Sequence, residues 1–318
     1  MNAQDKASLD LRVQAIRYAA RDTYLVELAP PGGGRLPAAT PGAHIDLHLD
    51  NGLTRSYSLV RPGDQPEQYL VGVKLDAASR GGSRYVHEKL RVGAIIKVSP
   101  PRNHFPLRED AAHTVLIAGG IGITPIWCMA QRLEEAGASW ELWYSARSRA
   151  DAAFLAELEA LPSKVHLHFD DEAGQVMDLQ RVVDGAAADA HLYCCGPAPM
   201  LDAYELAAAR RDPRTVHLER FAAQQAQALE GGFAVTLARS GKTLEVPEGS
   251  SILKVLLDNG VAVDFSCQEG ICGCCEVAVL EGEVDHRDAV LSESERAQSK
   301  TMMVCCSGAK SARLVLDL

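Results

Sequence analysis

Cys267, Cys272 and Cys275 stand in a C-x4-C-x2-C array, and Cys305 follows after 29 intervening residues. Thiols so placed could form disulfides, hold zinc, act as a redox dithiol or bind an iron-sulfur cluster. The opening stretch MNAQDKASLDLRVQ has no basic region followed by an apolar core, so the expected compartment is the cytoplasm, where thiols stay reduced. A structural zinc site asks for two paired units of C-x2-C type, which this array lacks. The spacing matches a plant-type 2Fe-2S cluster, with Cys305 as the fourth ligand. A two-iron core needs a loop that wraps it and presents backbone amides to sulfur, with the last thiolate coming from a separate element. Gly270 and Gly273 let such a loop turn tightly. Cys274 and Cys306 are each displaced by one residue from a ligand position and read as small packed thiols.

Glycines mark a second kind of chemistry. In GGIGITP, Gly119, Gly120 and Gly122 allow close backbone approach to a pyrophosphate, and Thr124 and Pro125 suit the start of a helix. The motif lacks the third glycine of the dinucleotide fingerprint and alone reads equally well as a tight turn. A second glycine turn, CCGP with Cys195, Gly196 and Pro197, ends a later strand of the same segment. Two such turns at strand ends favour one nucleotide cleft. RSYSL (Arg55 to Leu59) and SRGGS (Ser79 to Ser83) carry cationic, hydroxyl and glycine groups of the kind a phosphate needs, although each by itself reads as a charged strand or a surface turn. The histidines, His166 and His168 included, show no ligand spacing.

The elements that must position these groups fall into three blocks. Residues 1–107 hold short runs such as AHIDLHL, SYSLV, YLVGVKL and AIIKVSP broken by Pro and Gly, which predicts an antiparallel β-barrel. Residues 108–224 alternate strand and helix (TVLIA, PIWCMAQRLEEAG, ELWYSAR, AFLAELEAL, KVHLHF, MDLQRVV, HLYCCG, PMLDAYELAAARR, TVHLERF), which predicts an α/β parallel sheet with ligands at the carboxyl ends of its strands. Residues 225–232 are small and polar and read as a linker. Residues 233–318 contain a hairpin about Ser240-Gly241, the helix SILKVLLDNG, the cysteine loop, and strands around EVAVL, MMVCC and LVLDL, giving an α+β ferredoxin-like module of the β-grasp kind. A length of 318 residues suits this multidomain plan. The net charge of -10 argues against nucleic acid, and no run of apolar residues is long enough for a membrane span.

In this order RSYS, RGGS, GGIGITP, CCGP and the cysteine array resemble the phthalate dioxygenase reductase family, which includes the vanillate demethylase reductases. The likeness extends to PRNHFPL (100 to 107), EGEVDHRD (281 to 288) and the ending SARLVLDL. It implies FMN in the barrel, NADH in the middle domain and a 2Fe-2S cluster in the last. Arg55, Ser56, Tyr57 and Ser58 become flavin contacts, with Tyr57 beside the ring and Arg55 near the phosphate. Val73 and Lys74 would line that site, and Gly81, Gly82 and Ser83 would hold the phosphate. Thr124 would reach the flavin from the nucleotide domain, and Phe221 would lie where nicotinamide arrives. Arg147 and Asp171 are implied as NADH contacts.

NADH carries two electrons as a hydride, and a 2Fe-2S cluster takes them singly, so a flavin between them makes the chain an electron-transfer reductase. No catalytic acid, base or nucleophile is needed. The expected partner is a Rieske-type aromatic-ring oxygenase or O-demethylase, with a P450, a self-contained reaction or redox sensing as alternatives. RGGS offers one phosphate site and no segment is suited to an adenine, so FMN is expected over FAD. Residues 233–318 carry eight Lys and Arg against thirteen Asp and Glu, which suggests an acidic docking face formed by Glu269, Glu281, Glu283, Asp285 and Asp288.

Overall fold

The computed structural model describes residues 8–77, 80–223 and 225–318. Residues 1–7, Ser79 at the head of SRGGS, and Gln224 at the expected domain boundary lie outside the described residues. Two compact units are present, Leu9–Glu219 and a second built from Arg220–Leu318. The barrel and the parallel sheet therefore share one unit.

The first unit begins with a hairpin of β1 (Leu9–Ala20) and β2 (Thr23–Ala29), followed by β3 (Ala43–His48), β4 (Thr54–Ser58), β5 (Tyr69–Lys74), the short helix α1 (Gly82–Glu88), β6 (Ile95–Val98) and β7 (Arg102–Asn103). The strands run in the order β4-β3-β6-β1-β2-β5 with β7 added to β3. Leu59 bridges to Val71 and the Val60 amide donates to the Leu70 carbonyl at 2.9 Å, which joins the chain after β4 back to β5 and closes the barrel. Closure leaves no sheet edge unpaired along this seam. Alternate residues such as Val26, Ile45, Leu47, Val71, Val73 and Val98 fill its core. The β1–β2 hairpin was not expected from sequence. Its turn places Asp22 at φ 57, a left-handed conformation that aspartate tolerates, inside a stretch rich in Ala and Arg.

The parallel sheet follows: β8 (Thr114–Gly119), α2 (Ile123–Glu135), β9 (Trp140–Ala146), α3 (Leu155–Glu159), β10 (Val165–Phe169), α4 (Asp170–Ala173), α5 (Leu179–Gly185), β11 (His191–Cys195), α6 (Ala198–Ala208) and β12 (Val216–Glu219). Its order is β10-β9-β8-β11-β12, parallel throughout. Leu116 and Ala118 of β8 face the apolar layer that includes Ile126 and Met129 of α2, and Val115 and Ile117 face the layer that includes Leu201 and Tyr204 of α6. Both faces are thus covered, as the unbroken apolar strands demand. The chain steps from β8 outward to β9 and β10, then returns to β11 on the other side. That reversal opens a crevice at the carboxyl ends of β8 and β11.

The second unit contains β13 (Phe233–Leu237), β14 (Thr243–Val246), α7 (Ile252–Asp258), β15 (Glu276–Glu281), β16 (Val284–Asp285), α8 (Glu293–Gln298), β17 (Thr301–Met303), β18 (Gly308–Ala309) and β19 (Arg313–Leu316). The order β14-β13-β19-β15-β17, with β13 and β19 parallel and the other neighbours antiparallel, is a β-grasp sheet packed on α7. Ser251 caps α7 by accepting from the Lys254 amide, and Gly260 follows its end at φ 75. Residues 225–232 do not behave as a free linker. The Ala228 amide donates to the Cys306 carbonyl at 2.8 Å and the Gly232 amide to the Val246 carbonyl at 2.9 Å, so the segment is laced onto this unit. The strand expected through MMVCC stops at Met303, and Cys305 and Cys306 sit in the turn after it.

Candidate functional site

Arg55 and the RGGS glycines, far apart in sequence, meet in space. A Cβ on Gly82 would lie 2.6 Å from Arg55 Cγ and 2.7 Å from its Nε, so the arginine stem crosses the start of α1 where only glycine leaves room. Gly81 caps that helix at φ 98, also a glycine conformation. Ser83 Oγ accepts from the Asp76 amide at 3.1 Å and ties the start of α1 to the chain just after β5. A cation laid across glycines at a helix start suits a phosphate-bearing cofactor.

The remaining barrel candidates divide by face. Burial pushes the Tyr57 hydroxyl up to about 12 against the opposing pull of Arg55, so it stays a neutral phenol. Ser56 Oγ donates to Asp46 Oδ1 at 2.6 Å, and buried Asp46 also pairs with Arg102 of the PRNHFPL stretch. Ser56 is therefore engaged with the barrel wall. The Val73 side chain lies in the barrel core and its carbonyl contacts His87 Nε2 at 3.0 Å, leaving little of Val73 for a ligand. Lys74 ends β5 partly exposed.

Thr124 arrives from the first turn of α2. Its Cγ2 would stand 2.6 Å from a Cβ on Gly72 of β5, so that glycine lets the nucleotide layer close on the barrel wall. Gly72 was not singled out from sequence, although a glycine inside a strand signals close approach. Glu219 was missed as well. Its carboxyl accepts from Ser58 Oγ at 3.5 Å, and burial raises it to about 8, with the Ser58 bond opposing. Nothing in TVHLERF distinguishes it from a solvated strand-end charge.

The two glycine turns interlock. A Cβ on Gly122 would be 2.2 Å from the Cys195 carbonyl oxygen, and one on Gly119 would be 2.4 Å from Met200 Sδ and 2.8 Å from Pro197 Cδ. A Cβ on Gly196 would lie 3.2 Å from Gly119 Cα. Gly120, at φ 53, faces open space. Three glycines thus bring the turns after β8 and β11 together, and Gly120 leaves backbone exposed beside them. Burial raises the Cys195 thiol and keeps it neutral. Arg147 and Asp171 are both exposed and are joined through their backbones, the Asp171 amide donating to the Arg147 carbonyl at 3.1 Å.

In the second unit Cys267, Cys272, Cys275 and Cys305 are all buried. They approach in two pairs, Cys267 with Cys272 and Cys275 with Cys305, the arrangement expected when each of two irons takes two thiolates. Among the described residues no three His, Cys, Asp or Glu side chains converge as a single metal ion would require. The Glu269 amide points at Cys267 Sγ at 3.3 Å, and the Ile271 amide also favours the thiolate there. The paired Cys272 thiol and burial nevertheless hold Cys267 well above its ordinary value, and Cys275, Cys306 and burial do the same for Cys305. Such sulfurs need cations to ionise, so the donor set fits an iron-sulfur core. Gly270 and Gly273 take φ 71 and 70. Cys306 is a packing residue whose Sγ would lie 2.5 Å from a Cβ on Gly270. None of the nine cysteines is joined in a disulfide.

The acidic face needs correction. Asp288 is buried, with its side chain 0% exposed, and cannot present charge to a partner. Glu281, Glu283 and Asp285 pair with Arg313, Lys310 and Arg287. Phe221 is 38% exposed in the second unit. Among the described residues no helix is long and apolar enough to cross a membrane.

Residues 235–310 match the Fer2 family, a 2Fe-2S iron-sulfur cluster binding domain, and residues 94–213 match the N-terminal domain of dimethylamine monooxygenase subunit DmmA-like proteins. The chain is 53% identical over 316 residues to a phenoxybenzoate dioxygenase subunit beta of Ectopseudomonas oleovorans, covering 99% of each. A solved phthalate dioxygenase reductase, described as a modular structure for electron transfer from pyridine nucleotides to [2Fe-2S], matches with TM-score 0.75 and 39% identity across 100% of both chains. The chain belongs to the phthalate dioxygenase reductase family. It also matches an intact type IV self-sufficient cytochrome P450 monooxygenase with TM-score 0.89 and 40% identity, covering 98% of this chain and 41% of that one. Membership of the phthalate dioxygenase reductase family makes the chain an oxidoreductase, the reductase component of an oxygenase system, carrying electrons from a reduced nicotinamide nucleotide through a flavin to a 2Fe-2S cluster.

Proposed function

We propose that the nucleotide is NADH, the flavin is FMN and the acceptor is a Rieske-type aromatic-ring oxygenase or O-demethylase. The carrying observation is the cradle where Arg55 crosses Gly82, which suits one terminal phosphate. Gly81, Gly82, Ser83 and Arg55 hold that phosphate, while Tyr57, Ser58, Lys74 and Thr124 border the ring, with Val73 contributing main chain at most. Gly119, Gly120, Gly122, Cys195, Gly196 and Pro197 form the pyrophosphate turn, and Arg147 with Asp171 meets the rest of the dinucleotide. A flavin held there would supply the conversion between two-electron and one-electron transfer that a nicotinamide donor and a 2Fe-2S acceptor require. Cys267, Cys272, Cys275 and Cys305 are the cluster ligands.

The protein's own part is orientation and proton control. Glu219 stays protonated near neutrality and so presents a neutral hydrogen-bonding group to Ser58. The barrel domain runs to 107 and the nucleotide domain starts at 108, while the cluster domain takes in residues 225–232, which are laced onto it, and the cysteine-rich chain suits a reducing, cytoplasmic setting. The dioxygenase relative supports the oxygenase partner, and the likeness to the P450 fusion supports a P450 as the second reading. NADH-driven turnover of purified Rieske oxygenases and P450s, each mixed with the chain, separates the two. Turnover of P450s alone would replace the oxygenase reading. Acid-released flavin that runs as FAD would overturn the FMN assignment.

A further inference from the structure

The four cysteines sit on two separate segments, the loop Cys267–Cys275 and the turn that carries Cys305. Something has to hold those segments at a fixed separation, and two side chains outside the ligand set do so. Gln227 Nε2 donates to the Gln268 carbonyl at 2.8 Å and to the Cys305 carbonyl at 3.2 Å. One exposed amide thus uses both hydrogens on the two cysteine-bearing segments.

The strip 287–289 makes a second, independent link. The Ala289 amide donates to the Gly270 carbonyl at 2.8 Å, and the Arg287 amide donates to Ser307 Oγ at 3.2 Å, just beyond Cys305 and Cys306. A Cβ on Gly270 would lie 3.0 Å from Asp288 Cα, so loop and strip are in direct contact. Asp288 fixes the strip from within. Its Oδ2 accepts from the Val290 and Leu291 amides at 3.1 and 2.8 Å, and Arg296 donates to its carbonyl at 2.6 Å. His286 Nδ1 stands 3.6 Å from Oδ1. Burial alone would raise this carboxyl, but His286, the Leu291 and Val290 amides and Arg296 outweigh it and hold Asp288 below the usual carboxylate range. A buried negative charge therefore stands behind the cluster loop.

We propose that Gln227 and Asp288 are positioning residues for the cluster, clamping the two cysteine-bearing segments together and thereby setting the cluster's potential and lifetime. The proposal rests on the ligand assignment above. No bond forms or breaks in the step it concerns, the passage of one electron through the cluster.

The test uses the full, cofactor-loaded chain carrying Gln227→Glu or Asp288→Asn. Gln227→Glu keeps the shape but turns a carboxylate toward two carbonyls. Asp288→Asn keeps an acceptor for the Val290 and Leu291 amides and removes the charge. The readouts are the electron paramagnetic resonance of the reduced cluster, its midpoint potential, and its loss to a chelator. Gln227→Glu is expected to shift the resonance and speed cluster loss about fivefold or more, the effect of about one hydrogen bond. Asp288→Asn is expected to raise the potential. Unaltered resonance and potential in both variants would overturn the proposal, as would faster loss with neither shifted, which marks a merely structural role. If Asp288→Asn fails to fold, the exposed Gln227→Glu decides alone. Cys267→Ser, run in parallel, tests the ligand assignment separately: a retained wild-type cluster there would overturn that assignment.

Discussion

Glu219→Gln should stabilise the first unit, and increasingly so as pH rises. Burial raises the Glu219 carboxyl from 4.5 to about 8. Between those values the unfolded chain has already released a proton that the folded chain keeps, so folding stability falls with rising pH through that window and levels off above about pH 8. Each pH unit is worth about 1.4 kcal/mol, giving a ceiling of about 5 kcal/mol. Glu219 as a whole residue is only half-buried, and relaxation and water beside its carboxyl reduce this to about 2 kcal/mol. For a unit of this size that is a melting shift of about 6 °C. Glutamine preserves the shape and the link to Ser58 Oγ but cannot ionise. Trp127, Trp140 and Trp143, the only tryptophans, all lie in this unit, so tryptophan emission follows its melting alone. Wild type and variant should melt together at pH 5 and diverge by pH 8.5, the variant higher. Parallel curves, or a gap that is the same at both pH values, would refute the reasoning, because other titrating groups cancel between the two chains.

Gly82→Ala should weaken flavin binding about tenfold by displacing the Arg55 stem, read by quenching of flavin fluorescence, since the added methyl would meet Cγ at 2.6 Å. Gly122→Ala should cost about 1–3 kcal/mol in urea unfolding followed by tryptophan emission, because its methyl meets the Cys195 carbonyl oxygen at 2.2 Å. Gly120→Ala meets open space and should cost only the left-handed strain, about 1 kcal/mol. Serine at Cys272, Cys275 or Cys305 should abolish the cluster's visible absorbance, and serine at Cys274, which is only partly buried, should not. Electron transfer to the partner should slow as salt rises from low to physiological strength and slow further in Glu269→Lys; a rate indifferent to both would remove Glu269 from the docking face.

Short-range chemistry was legible in the sequence. The cysteine spacing fixes which thiols can wrap a two-iron core, and the β13–β14 turn and the Ser251 cap announce themselves within a few residues. Strands alternating with helices determine a parallel sheet because a crossover helix is what lets neighbouring strands run the same way. What only the tertiary structure decided are encounters between distant segments. Ser58 and Glu219 are 161 residues apart, and the carboxyl's proton is held by burial that no local pattern encodes. Gly72 and Gly82 look like ordinary strand and turn glycines until Thr124 and Arg55 are seen against them. Asp288 reads as one more surface acid in EGEVDHRD, and the fold instead buries it, because the amides of Val290 and Leu291 supply the hydrogen bonds that water otherwise would. Spacing along the chain specifies which groups can do chemistry; the dielectric and the neighbours that tune them exist only once remote segments have packed.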